Sequence, residues 1–281
     1  MKIYLKGFLK RNCQKYTIFS AILGAVIFFG MNPAAHAVSV NLELYLATDV
    51  SGSIDRIDFN LQRQGITATF RSAAVIKAIE ATGTGIAVKL VDFATTTVTA
   101  VDWFHITDTT SAHAFAAAVI SARRGDADCC DGQSNLLNTA LADMNSNDFD
   151  GRQVVDIVSE GAQDIDGCSF ENSICPTVQV ARDNFLAGGG TTINALWLND
   201  RDFFGLDATD LINAFEYGGA NVIGGQDAFQ SFAADFNAFA PVFEQKIQRE
   251  INPVPEPGTV LLLGTGLAGL ALWRWRNCQG R

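Results

Sequence analysis

Histidine is almost missing from this chain, three in 281 residues, and several signatures of catalysis are missing with it. Beyond the first forty residues only His105 and His113 remain, and neither lies in a nucleophile motif. His105 falls in an apolar run and reads as structural. No G-x-S-x-G occurs, and no G-x-G-x-x-G follows the first apolar run as a dinucleotide site requires. The absence of C-x-x-C spacing argues against a cysteine zinc site. Basic residues are also scarce, 20 Lys and Arg against 30 Asp and Glu, for a formal net charge of −10. Neutralising phosphates needs clustered Lys and Arg, so nucleic acid is excluded as a partner. An acidic surface fits cation binding or plain solubility instead. These absences point away from an enzyme; metal-assisted hydrolysis is the one enzymatic alternative, and no general base stands out for it.

The two ends differ from the rest. Residues 1–37 read as a signal peptide: Lys2, Lys6, Lys10, Arg11 and Lys15 form a basic start, and Ile18 to Met31 is mostly apolar. Ala35-His36-Ala37 then supplies a small-x-small cleavage pattern. Losing this leader removes five basic residues and no acids, moving the net charge from −10 to −15. At the other end, Pro255, Glu256 and Pro257 precede an uncharged apolar stretch, 258–273, followed by Arg274, Arg276 and Arg281. As a helix that stretch is about 24 Å long at about 1.5 Å per residue, somewhat short of a hydrocarbon core of about 30 Å. Trp273 and Trp275 suit the interface, and the arginines suit the cytoplasmic side. This ending, 253–281, resembles the bacterial PEP-CTERM sorting signal. The resemblance implies a membrane tether that is at least transient, recognition by an exosortase, and export to the cell envelope or an extracellular polysaccharide matrix.

Between the ends, residues 38–252 have the size of one α/β domain. Val40 to Ala47 reads as a strand, and Ile57, Leu61, Ile66, Phe70 and Ile76 carry helical periodicity through Ile54 to Ala81. Gly85 to Phe93 and Thr97 to Phe104 are runs rich in β-branched residues, close enough for a hairpin. Asp108 can cap a helix through Ala112 to Ala122, and Leu136 to Met144 is a shorter one. Gln153 to Val158 is a continuous apolar strand. Helix Pro176 to Leu186 stops at Gly188-Gly189-Gly190, before strand Thr191 to Leu198 and helix Ala208 to Phe215. A brief strand, Asn221 to Ile223, precedes a last helix from Asp227 to Ile251. Such alternation predicts a doubly wound, mostly parallel sheet with helices on both faces, a three-layer α/β fold.

Ligands of open α/β sheets sit beyond the carboxyl ends of the strands. Asp49, Ser51 and Ser53 fall there, and short oxygen side chains at alternate loop positions can converge on one hard cation. Gly52 allows the sharp turn. This D-x-S-x-S run resembles the metal-ion-dependent adhesion site of von Willebrand factor A (VWA) domains. "FNLQRQGI" from Phe59, "VVDIVSEGAQD" from Val154, "GGTTINALWL" from Gly189 and "NVIGGQDAF" from Asn221 are similar to an uncharacterised bacterial branch of that fold, a domain of unknown function. The resemblance implies a divalent cation, Mg²⁺ or Ca²⁺, held by Asp49, Ser51 and Ser53. A threonine expected from a second loop is matched by Asn135, with Ser134 adjacent. A third-loop aspartate is replaced by Glu160, whose extra methylene disturbs Mg²⁺ distances unless water or the looser Ca²⁺ absorbs it.

The loops around these positions are acidic: Asp126, Asp128 and Asp131 on one side, Asp164, Asp166 and Glu171 on the other. Asp164 is a secondary cation candidate beside Ser134; the plain reading of the whole rim is a solvated surface. Cys129, Cys130, Cys168 and Cys175 should form disulfides in an oxidising compartment. Four cysteines allow three pairings. A vicinal Cys129–Cys130 bond is strained, which favours the two pairings that staple this segment to Cys168 and Cys175. By the resemblance, the cation's open position takes a carboxylate of a protein or exopolysaccharide partner. The alternative is a metal-free scaffold of the envelope or matrix.

Overall fold

The computed structural model describes residues 37–125, 129–168, 174–198 and 214–252. Both terminal segments, and most of the helix expected at Ala208 to Phe215, lie outside them. Among the described residues no helix is long and apolar enough to cross a membrane.

The chain begins with β1 (Val38–Asp49), α1 (Arg56–Arg71), α2 (Ala73–Ala81), β2 (Ile86–Phe93), β3 (Thr97–Ile106) and α3 (Thr109–Ser121). It continues with α4 (Gln133–Met144), β4 (Phe149–Ser159), α5 (Pro176–Ala187) and β5 (Thr192–Leu198). A π-helical turn (Gly218–Val222), β6 (Gly224–Gly225), β7 (Gln230–Ala233) and α6 (Phe239–Ile251) complete it. The sheet runs β3-β2-β1-β4-β5, with β6 and β7 both on β5. Strands β2, β1, β4, β5 and β7 are parallel; β3 and β6 are antiparallel to their neighbours.

The central strand explains why the stretch Leu44 to Ala47 is apolar without alternation. Leu42, Leu44 and Leu46 enter a core with Ile66 and Phe70 of α1, Phe115 of α3 and Phe243 of α6. Tyr45 and Ala47 point to the other face and pack with Leu137 of α4 and Phe185 of α5. A strand buried on both faces carries no polar side to alternate with. The three-layer α/β architecture is the one the alternation of elements implied.

Three elements differ from the sequence reading. The helical run Ile54 to Ala81 is two helices, because Ser72 is extended (ψ 131°) and its hydroxyl accepts from Ala74 N at 3.3 Å while donating to Glu244 at 2.6 Å. Asn221 to Ile223 is not a strand. Asn221 Oδ1 accepts from Cys175 N at 2.7 Å and its Nδ2 donates to Tyr217 O at 2.9 Å, holding the backbone in the π-helical turn. The last helix starts at Phe239 rather than Asp227, since Gln230–Ala233 pairs with Ala195–Leu198 as β7. The glycine stop after α5 is as expected: Gly189 takes φ +116°, and Gly190 N closes the end onto Phe185 O at 3.0 Å.

Candidate functional site

Three loops meet at the carboxyl ends of β1 and β4. Asp49 ends β1 with no solvent exposure. Its Oδ1 accepts from Ser51 N at 2.8 Å, which tightens the turn, and its Oδ2 accepts from the Ser159 hydroxyl at 2.8 Å. Ser51 and Ser53 bring their hydroxyls within 3.2 Å of each other, Ser51 buried and Ser53 half-buried. Arg124 Nη2 donates to the carbonyls of Val50 and Ser51 at 2.9 and 3.1 Å, fixing this loop from outside. So the structure does bring Asp49, Ser51 and Ser53 together.

The second loop contributes a residue that the sequence placed only on the acidic rim. Asp131 is 4 % exposed, and its Oδ1 has no hydrogen-bond donor among the described residues. Burial, then the neighbouring Asp49 carboxylate, then Glu160 and Asp164, hold the Asp131 carboxyl well above the usual range. The loop is seated by Gly132, whose N–H donates to Ala94 O at 2.9 Å; a Cβ there would meet that oxygen at 2.6 Å. Asn135 sits one turn into α4, exposed, with its Nδ2 donating to Thr95 O at 2.9 Å; no described contact joins it to Asp49. Ser134 is buried, its N–H donating to Gln163 Oε1 at 2.7 Å.

In the third loop Glu160 is half-buried and faces Asp131 electrostatically. Ser159, one residue earlier, is the side chain that touches Asp49, and it was not singled out in the sequence. Nothing local marks it in the sequence; it meets Asp49 because strand pairing sets the end of β4 level with the end of β1. Asp164 Oδ1 accepts from Asp131 N at 2.7 Å and so spends an oxygen on tying loops. Asp126, Asp128 and Glu171 lie outside the described residues.

The disulfides depart from the expected staple. Cys129 joins Cys130, and Cys168 joins Cys175 across a Cα separation of 5.4 Å. Cys175 enters α5 next to Cys168, within ordinary bridging distance. The two loops are tied by hydrogen bonds instead: Asp131 N to Asp164, Gln133 Nε2 to Gly161 O at 2.8 Å, and Ser134 N to Gln163. Tyr217 adds a clasp, its hydroxyl donating to Gln133 Oε1 and accepting from Gln163 N, both at 3.1 Å.

Beneath the first loop, Arg63 of α1 pairs with Asp92 at the end of β2, both buried. Thr48 donates to the same carboxylate at 2.9 Å, and Gly125 N to its other oxygen at 2.9 Å. Asp92 is thus already satisfied. Among the described residues no group of three or more His, Cys, Asp and Glu is placed to hold a metal. A cation at Asp49 would draw on Asp49, Asp131 and the two serine hydroxyls. That oxygen set suits Mg²⁺ or Ca²⁺, and the donor-free Asp131 Oδ1 is an atom such an ion would satisfy.

Among solved structures, the chain is similar to the PilB minor pilin of Streptococcus sanguinis (14 % identity, 78 % of this chain and 64 % of that one, TM-score 0.52). It is also similar to the pilus adhesin SpaC of Lactobacillus rhamnosus GG (13 %, 76 % and 31 %, TM-score 0.52). A von Willebrand factor type A structure from Catenulispora acidiphila aligns as well (13 %, 76 % and 43 %, TM-score 0.48). The chain spans less than two thirds of each of these. No curated protein matches it. The PEP-CTERM protein-sorting motif matches residues 253–277. The family model described as "Protein of unknown function (DUF1194)" matches residues 39–255, the whole sheet with its helices and all three site loops, and the chain belongs to that family.

Proposed function

We propose that this chain is an exported binding protein of the adhesion type, holding a divalent cation at the end of β1 to recognise an acidic partner. In this reading residues 1–37 are a leader, 38–252 the binding domain, and 258–273 the membrane segment of the sorting signal. The PEP-CTERM motif indicates export, sorting to the cell envelope and exosortase processing. Asp49, Ser51 and Ser53 hold the ion from the first loop, Asp131 from the second, and Glu160 from the third. Asn135, occupied with Thr95, stays outside the set. Bound there, a cation reverses the local field, so an acidic protein can accept a carboxylate of a protein or anionic polysaccharide. Two structures whose fold this chain shares are by name a pilus adhesin and a minor pilin, and fit such a role.

The observation that carries the reading is the Asp131 carboxyl, buried beside Asp49 with a donor-free oxygen. Two buried carboxyls without a cation repel, and an ion between them removes the repulsion. Calorimetric titration of the purified protein with Mg²⁺, Ca²⁺ and Mn²⁺ tests it. Heat lost in both Asp49→Ala and Asp131→Asn supports it, and no heat with any ion sinks it. A pull-down from matrix material with and without chelator then tests the partner.

A second reading, a metal-free scaffold, draws on Asp49 itself. Both its carboxylate oxygens already accept hydrogen bonds, from Ser51 and Ser159. It requires that chelator leave both thermal stability and matrix binding unchanged.

A further inference from the structure

A second cluster of titratable groups lies outside this site, where α6 covers β4. Asp156 shares with Val154 and Val158 the face of β4 that packs against Phe243 and Ile247 of α6. Lys246 Nζ lies against Asp156 Oδ1 and is 2.6 Å from Glu250 Oε1, one helical turn on. All three side chains have no solvent exposure. Asn194 of β5 donates to Glu250 Oε1 at 2.8 Å, and the Phe229 ring lies 5.3 Å from Nζ. Asp156 Oδ2 and Glu250 Oε2 are buried and accept no hydrogen bond among the described residues.

One ammonium and two carboxyls in a dry pocket are neutral only if one carboxyl keeps its proton. Burial, followed by the Glu250 charge, pushes the Asp156 carboxyl up to about 7, so a large share of it is acid near neutral pH. A carboxylic acid then sits in contact with an amine beside a second carboxylate, with water excluded. In water an amine and an acid persist as ions. Burial disfavours the ions, and fixed contact replaces a bimolecular encounter with an effective concentration of about 10⁵–10⁸ M. As an ion pair the cluster contributes little, because desolvation of buried charges offsets their attraction.

We propose that Lys246 and Asp156 condense into an intramolecular isopeptide bond, with Glu250 carrying the protons. Glu250 takes a proton from the Lys246 ammonium. The neutral Nζ adds to Cγ of the protonated Asp156, and Glu250 passes a proton to the departing hydroxyl while accepting the one that nitrogen releases. The Cγ–OH bond breaks, the Cγ–Nζ bond forms, and one water leaves. The ammonium, the acid and the Glu250 carboxylate become an amide, water and a protonated Glu250, so charge and atoms balance with no co-reactant. The bond ties the last helix before residues 253–281 to a central strand of the sheet.

The test is a tryptic digest of the purified full chain, reduced and analysed by mass spectrometry, with Lys246→Arg as reference. The expected product is a branched peptide joining residues 153–182 to residues 202–249, one water lighter than the two together. Trypsin should fail to cut after Lys246. Separate peptides, with cleavage after Lys246, overturn the proposal and leave a buried ion pair. In Glu250→Gln, checked for folding by circular dichroism, the linked fraction should fall at least about tenfold, because losing a general acid–base group slows the step by about 10²–10⁴-fold. Full linkage in that variant overturns the role of Glu250.

Discussion

Ser159 Oγ donates to Asp49 Oδ2 at 2.8 Å, joining the ends of two neighbouring parallel strands where neither has solvent exposure. That contact sets the direction of the Asp49 carboxylate, one of three in the proposed cation site. Replacing Ser159 with Ala leaves Asp49 Oδ2 without its donor. The expected loss is about 1–3 kcal/mol of folding stability in the presence of chelator, read by urea unfolding. Cation affinity should fall with it, measured by calorimetry.

Gly132 supports the second loop by close approach to Ala94 O and Thr95 O. Ala at this position forces the two backbones apart. The Gly132→Ala chain should lose about 1–3 kcal/mol, and its cation affinity should drop more than that of Asn135→Ala, whose side chain serves Thr95. Equal effects of the two substitutions on binding would show that the second loop acts through Asn135 and not through Asp131.

The Arg63–Asp92 pair lies under the first loop with both groups buried. Arg63→Leu leaves a carboxylate with only Thr48 and Gly125 as donors. An uncompensated buried charge of this kind costs about 3–5 kcal/mol, so the variant should unfold at markedly lower urea. Adding Asp92→Leu should recover most of that loss, a coupling visible in a double-mutant cycle.

The acid–base behaviour of Asp156 reports its covalent state. As a free carboxyl its folded value of about 7 lies above the ordinary 3.8, so between those values the folded state binds more protons than the unfolded one. Stability contributed by that proton is complete below about pH 4 and is lost as pH rises towards 7, by at most about 1.4 kcal/mol per unit. The unlinked Glu250→Gln chain should show a weaker form of this decline, since burial, the largest cause, persists there while the Glu250 charge is gone. The wild-type chain, its carboxyl consumed in the amide, should lack it. Urea unfolding at a series of pH values reads the difference.

Much of the fold was legible because burial on both faces leaves a plain mark. Strand β1 read as a strand of mixed alternation and β4 as an apolar run interrupted by Asp156, and the helix cap at Asp108 and the stop at Gly189 are local chemistry. The break at Ser72 was not legible, since helical periodicity continues across it and its reason, Glu244, is remote in sequence. Gln230–Ala233 has no β-branched residue and becomes a strand only because β5 offers a free edge. In the site, Asp49, Ser51 and Ser53 could be read from spacing within one turn. Asp131 and Ser159 could not, because an aspartate on an acidic loop and a serine ending a strand look ordinary until a neighbouring strand is placed beside them.

The sequence alone determined the alternation of strands and helices, the spacing of Asp49, Ser51 and Ser53 after β1, the acidity of the molecule and its C-terminal sorting motif, because each depends on residues near one another in the chain. The tertiary structure alone decided that Asp131 is buried against Asp49 and that each disulfide closes within its own loop. It alone decided that Lys246 and Glu250 meet Asp156. Those are distances and desolvation between segments far apart in the chain, and both arise only when the sheet and its covering helices assemble.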